Sequence, residues 1–232
     1  MYNKYGDRMK SLIVIEGTDC SGKKTQTKLL KDHLEKDNIS VEYFSFPNYN
    51  SPTGKIIENP YLGKYEKSYF KEDILKIDPK VSSLYFAADR RYHLEKIKNT
   101  LEKNIVILDR YVDSNMAYQG SRLDRKNRIE MYHWLEKLEY DLLELPRPNL
   151  TIFLYVPLQY MKQLNQNREK LDNYEKNIKL LQMAEASYLE LAEFHHYQIV
   201  HCVKDNKLRT IQDIHKEIYQ IVTEFLESGG SV

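Results

Sequence analysis

The sequence predicts a single α/β domain in which helices flank a five-stranded parallel sheet. Three observations carry that reading. Short apolar runs rich in β-branched residues alternate with longer segments of helical spacing. A glycine-flanked turn joins the first run to the first helix, and no Pro/Gly/Ser-rich linker divides the 232 residues. Residues 11–16 (SLIVIE) read as the first strand and 23–36 as a helix carrying Leu29, Leu30 and Leu34. Residues 41–46 (VEYFSF) are the second strand, ended by Pro47. Residues 79–103 have helical spacing, with Val81, Leu84, Tyr85, Ala88 and Tyr92 on one face. Residues 105–108, 150–156 and 197–203 supply three further strands. Residues 209–226 form an amphipathic helix, with Ile211, Ile214, Ile218, Ile221, Val222 and Phe225 at spacings of three and four.

Composition narrows the function classes. Lys and Arg total 35 against 34 Asp and Glu, so the net charge of +1 argues against a broad nucleic-acid coat. A hydrophobic fraction of 41% supports a core. No run approaches the ~18 apolar residues of a membrane span. The first ten residues lack an apolar signal core, so the expected location is the cytoplasm, with no membrane partner. Cys20 and Cys202 alone make no disulfide framework. Six of the ten arginines fall between positions 90 and 128, and arginine gives planar, bidentate phosphate recognition.

The strongest local signal is Gly17-Thr18-Asp19-Cys20-Ser21-Gly22-Lys23, placed between the first strand and the first helix. In that context glycines let backbone N–H groups curl around phosphate oxygens, the helix N-terminus adds positive charge, and Lys23 reaches the outer phosphates. Lys24 stands where such loops usually carry a Ser or Thr that ligates Mg²⁺, and an ammonium has no lone pair to offer. Thr25 points about 100° away from that position. Asp109-Arg110-Tyr111 closes the strand at 105–108, and strand carboxyl ends are where ligands bind in parallel α/β sheets.

These residues belong to an ordered set that resembles the thymidylate kinases. The set comprises Glu16-Gly17-Thr18-Asp19, Gly22-Lys23-Lys24-Thr25-Gln26, Phe46-Pro47, Phe86-Ala87-Ala88-Asp89-Arg90 and Asp109-Arg110-Tyr111-Val112 with Ser114-Asn115. It continues through Ala117-Tyr118-Gln119-Gly120, Leu145-Pro146-Arg147-Pro148 and Asp172-Asn173-Tyr174-Glu175. The set looks closest to the divergent branch of the family seen in low-GC Gram-positive bacteria, and the Lys- and Asn-rich composition fits. The resemblance implies a three-layer P-loop NTPase fold over residues 1–232, with a lid at about 160–176. It implies transfer of the ATP γ-phosphoryl to dTMP, giving dTDP and ADP for dTTP synthesis, by a homodimer.

The resemblance also assigns roles. The loop from Gly17 to Thr25, including Cys20 and Ser21, would bind ATP. Phe86 would stack on thymine, Arg90 bond a thymine carbonyl, and Asn115 meet the base edge. Tyr118 would pack beneath the sugar, Asp19 lie near the 3′-hydroxyl, and Phe46 and Tyr49 cover the acceptor phosphate held by Arg110. Ser114 and Gln119 complete the acceptor side. With no arginine in the phosphate loop, the transition-state cation would come from the lid, as Arg168 with Lys170 assisting. Mg²⁺ would be held through Asp109, Asp19 or Glu175. Two rivals stand beside this reading. One is a nucleotide-binding protein of the same fold with lost or weak catalysis, since fold does not guarantee chemistry. The other is a deoxynucleoside kinase, which needs a carboxylate base where the second strand ends in Ser45-Phe46-Pro47-Asn48.

Overall fold

The structure is a computed structural model that describes residues 10–19, 21–165, 173–174 and 176–229. Its main sheet contains β1 (Leu12–Gly17), β2 (Val41–Ser45), β3 (Ile105–Asp109), β4 (Leu150–Tyr155) and β5 (Gln198–His201). All neighbours are parallel, in the order β2–β3–β1–β4–β5. β1 and β3 are buried at every residue, as expected for strands covered on both faces. The register pairs Asp109 with Ile15 on one side and Ser45 on the other. Three strands therefore end at one edge, and the phosphate loop opens from that edge. The fifth strand is shorter than expected because Val203 enters a hairpin of β6 (Val203–Lys204) and β7 (Lys207–Leu208). Asp205 and Asn206 turn it in left-handed conformation.

α1 (Lys23–Lys36) buries Leu30 and Leu34 and half-buries Leu29. α9 (Ile211–Glu227) lies against it and buries Ile214, Ile218, Val222 and Phe225; Ile221 is half-buried and Ile211 exposed. The Gln26 amide donates to the Ile211 carbonyl at 2.9 Å, and His33 stacks on Tyr219 at 3.8 Å between centroids. α5 (Val112–Asn115) and α6 (Arg125–Glu136) each run into a π-helical turn, Met116–Gly120 and Lys137–Leu142. α7 (Leu158–Asn165) and α8 (Ile178–Phe194) follow β4. Among the described residues no helix is long and apolar enough to cross a membrane.

The helix expected over 79–103 is two helices, α3 (Pro79–Tyr92) and α4 (Leu94–Leu101), broken at His93 with φ −95° and ψ 0°. The face of α3 is inverted as well. Of the expected apolar face, Val81, Leu84, Ala88 and Tyr92 are exposed and Tyr85 is half-buried, whereas Ser82, Ser83, Asp89 and Arg90 are buried. Polar satisfaction explains the inversion. Asp89 accepts from the Asn48 N–H (2.7 Å), the Ser51 hydroxyl (2.8 Å) and the Thr53 hydroxyl (2.6 Å). Arg90 lies in a buried ion pair with Glu139. A buried charge with these partners is stable inside, and without them it would be costly.

Asp89 thereby anchors the loop between β2 and α2 (Pro52–Ile56), which follows a cis Phe46–Pro47 peptide. Ser51 caps α2 by accepting the Gly54 N–H at 2.9 Å. The loop returns so close to α2 that a Cβ on Gly54 would lie 1.8 Å from the Asn48 carbonyl oxygen. Because the obstacle is backbone, Gly54→Ala is expected to destabilise the fold by about 1–3 kcal/mol, read as a lower denaturant midpoint. An unchanged midpoint would contradict this packing.

Candidate active site

The phosphate loop is closed by two contacts that only glycine permits. A Cβ at Gly17 would meet the Ser21 hydroxyl oxygen at 2.6 Å and the Leu154 carbonyl oxygen at 2.9 Å. Gly22 takes φ 86°, the left-handed region in which a side chain is strained. Inside the loop the Lys23 ammonium donates to the Thr18 carbonyl at 2.6 Å and to the Ser21 hydroxyl at 3.4 Å. Burial lowers the Lys23 pKa to about 8; repulsion from Arg110 adds to this, while Asp109, Asp19 and Glu16 oppose it. The Thr18 hydroxyl oxygen is buried with no hydrogen-bond partner among the described residues. Lys24 and Thr25 are both exposed on α1, so neither faces the buried loop interior. Cys20 lies outside the described residues.

At the end of β3, Asp109 is buried. Its Oδ2 accepts from the Tyr43 hydroxyl at 3.4 Å, and its Oδ1 has no partner among the described residues. Arg110 has φ 67°, rare for a residue with a side chain and characteristic of strained functional turns. Its Nη1 donates to the Gly17 carbonyl (3.1 Å), the Ser114 hydroxyl (3.1 Å) and the Tyr188 hydroxyl (3.3 Å). Nη2 pairs with Asp19 at 2.5 Å. Asp19 also accepts from the Tyr118 hydroxyl at 2.5 Å. Burial, and then the Asp19 charge, push the Tyr118 pKa well above 10, so this phenol stays protonated and donates.

A cleft opens beside the loop. The ten residues that the sequence suggested for the acceptor side all line it: Asp19, Phe46, Tyr49, Phe86, Arg90, Arg110, Ser114, Asn115, Tyr118 and Gln119. Pro47, Leu62 and Tyr174 complete the wall. Tyr174 stacks on Tyr118 at 5.4 Å and lies 6.2 Å from Phe86, centroid to centroid. Its hydroxyl is held by Tyr61 and by the Gln119 amide, each at 2.9 Å.

Lys23 and Asp109 are not among the cleft's lining residues; they belong to the adjoining phosphate loop and the β3 end. Arg168, Lys170 and Glu175, together with the rest of residues 166–172 in the region expected as a lid, lie outside the described residues. No cluster of three possible metal ligands occurs among the described residues. Sequence reading missed three supporting groups. Tyr174 belongs to the motif Asp172-Asn173-Tyr174-Glu175, whose spacing alone assigns it no role. Tyr188 and Glu139 lie in helical segments where nothing in the sequence distinguishes them from ordinary tyrosines and solvated acids.

Comparisons with known proteins agree with this geometry. Residues 15–218 match the thymidylate kinase family. A probable thymidylate kinase of Pyrococcus horikoshii is 36% identical over 214 residues, covering 90% of this chain and 94% of that protein. The thymidylate kinase of Plasmodium falciparum is 32% identical over 213 residues, covering 91% and 89%. The solved thymidylate kinase of Candida albicans superposes with a TM-score of 0.72 at 24% identity over 95% of this chain and 93% of that one, which supports the fold. With the phosphate loop, the β3 turn and the shared cleft in place, the chain belongs to the thymidylate kinase family.

Proposed function

We propose that the protein transfers the γ-phosphoryl group of ATP to dTMP, giving dTDP and ADP. The observation that carries this reading is Asp19, which belongs to the phosphate loop and also lines the cleft, bonded there by Arg110 and Tyr118. Donor loop and acceptor cleft therefore meet at one residue. Support for the base end is the aromatic pair Phe86 and Tyr174, which lines the same cleft as Arg90 and Asn115. On this reading Arg110 holds the acceptor phosphate, Tyr118 lies under the sugar, and Phe46 and Tyr49 close over the phosphate. The lid cation is proposed as Arg168 with Lys170.

The reaction needs no general base. The nucleophile is a phosphate-monoester oxygen with a second pKa near 6, so at neutral pH it is largely ionised. Alignment and charge neutralisation then do the catalytic work. Mg²⁺ fits the residues present. Asp109 offers a buried carboxylate oxygen with no partner among the described residues. Sites of this kind need only one or two carboxylates, with water and phosphate oxygens supplying the rest. Asp19 is engaged by Arg110 and Tyr118 in this arrangement, so Asp109 is the first candidate, with Glu175 from beyond the lid. A bound Mg²⁺ would neutralise charge on the transferring phosphates.

The proposed assembly is a homodimer in the cytoplasm. The surface proposed for a second copy is the stripe Val81, Leu84, Ala88 and Tyr92 on α3, which is apolar and exposed. Affiliation with the low-GC Gram-positive branch is likewise a proposal. It rests on the motif set and composition, whereas the relatives named above are archaeal and apicomplexan.

A coupled ADP-release assay with ATP and a panel of nucleoside monophosphates tests the function; dTMP should give the highest kcat/KM. No turnover with any monophosphate, or turnover only with free nucleosides, would overturn it. Lys23 yields a second expectation. With a pKa of about 8 it is mostly neutral in the free protein at about pH 8.5, and bound phosphates would raise that pKa. ATP binding there should take up protons, measured by calorimetry in two buffers of different ionisation enthalpy, and Lys23→Met should abolish the uptake. For the dimer, Leu84→Glu places a charge in the stripe and should shift the sedimenting species to monomer.

A further inference from the structure

The geometry points to Glu139 as a positioning residue that fixes which edge of a pyrimidine the cleft accepts; this rests on reading the cleft as the dTMP site. Glu139 lies in the π-helical turn that follows α6, is fully buried, and does not line the cleft. Its carboxylate holds two residues that do. It pairs with Arg90 through both oxygens, one contact to Nε and one to Nη2 at 2.6 Å. The same Oε1 accepts from the Asn115 Nδ2 at 3.0 Å, and the Ser83 carbonyl accepts from that Nδ2 at 3.1 Å.

The consequence lies on the other side of the Asn115 amide. With Nδ2 committed to two acceptors, Oδ1 is left buried with no partner among the described residues, in a side chain that lines the cleft. The reversed amide would set Oδ1 against the Glu139 and Ser83 oxygens, so the carboxylate dictates the orientation. Arg90 is constrained in the same way. Two of its three nitrogens are taken by Glu139, and Nη1 has no bond among the described residues. Asn115 and Arg90 thus hold an unpartnered acceptor and an unpartnered donor in the cleft wall, each in a fixed orientation. A base with N–H at position 3 and a carbonyl at position 4 matches that pair. A base with a bare N3 and an amino group at position 4 meets acceptor against acceptor and donor against donor. Arg90 favours a carbonyl at position 4 because its guanidinium only donates, whereas the choice at N3 rests on the Asn115 amide, which reverses donor and acceptor when it is free to turn.

The test starts with the wild-type protein. Calorimetry should find dTMP binding about tenfold to hundredfold tighter than N3-methyl-dTMP, in which a methyl replaces the hydrogen Oδ1 would accept, and dCMP similarly weak. Glu139→Gln then removes the charge and lets an N–H turn toward Asn115, leaving the Ser83 carbonyl to hold Nδ2 and weakening the grip on the amide. The kcat/KM ratio of dTMP over dCMP should fall about tenfold or more while KM for ATP holds. Glu139→Asp, which keeps the charge, should retain more of the ratio. If Glu139→Gln does not fold, Glu139→Asp and the methylated nucleotide carry the test. Equal binding of dTMP and N3-methyl-dTMP would overturn the placement of Oδ1. A parallel loss for dTMP and dCMP, with their ratio unchanged, would make Glu139 merely structural and leave the kinase reading standing. No binding of dTMP at all would overturn both.

Discussion

The Glu16 carboxylate is the constraint on which the site depends. It is fully buried at the end of β1 and accepts four bonds, from the Tyr111 and Ser114 N–H groups (2.7 and 3.1 Å) and the Ser114 and Tyr188 hydroxyls (2.7 and 2.9 Å). These tie the central strand to the turn after β3 and to α8 in one network. Arg110 immediately precedes Tyr111 and its own N–H donates to the Ile15 carbonyl at 3.1 Å, so its left-handed backbone is held by neighbours rather than by its own preference. A buried carboxylate with four donors is well satisfied, and removing any donor would leave charge uncompensated.

That network also sets the electrostatics of the loop. Lys23 and Arg110 are close enough to repel, and Asp109, Asp19 and Glu16 counter the repulsion. Two cations held near one another are poised for polyanionic ligands, because each added phosphate oxygen relieves a repulsion already present. Asp19 pairs with Arg110 in this arrangement, so the guanidinium is never left buried without an anion. Tyr118 contributes its ring to the same guanidinium, 5.5 Å from its carbon, while its hydroxyl bonds Asp19.

The acceptor side uses buried polar groups in place of apolar packing. Asp89, Arg90, Asn115 and Glu139 are each at most 3% exposed, and their bonds hold the β2–α2 loop, α3 and the turn after α6 in register. Such a network fixes geometry more tightly than a greasy wall, since every rotation breaks a bond. The aromatic pair Tyr118 and Tyr174 adds shape, with its polar tips tied back to Asp19, Tyr61 and Gln119.

The sequence by itself determined the sheet, the loop and most of the cleft. β-branched runs between helical patterns identify a parallel sheet because burial on both faces demands them. Gly17, Gly22 and Lys23 are legible because phosphate loops tolerate few alternatives at those positions, and the ordered motifs brought the cleft residues with them. Residue spacing misjudged α3, where Val81, Leu84 and Tyr92 read as a core face and stand exposed. Periodicity counts apolar side chains and does not register that Asp89 and Arg90 find partners dozens of residues away. Glu139 was invisible for the same reason. Its role exists only once the π-helical turn, α3 and Asn115 converge, because hydrogen bonds between distant segments are a property of the folded chain and not of local spacing.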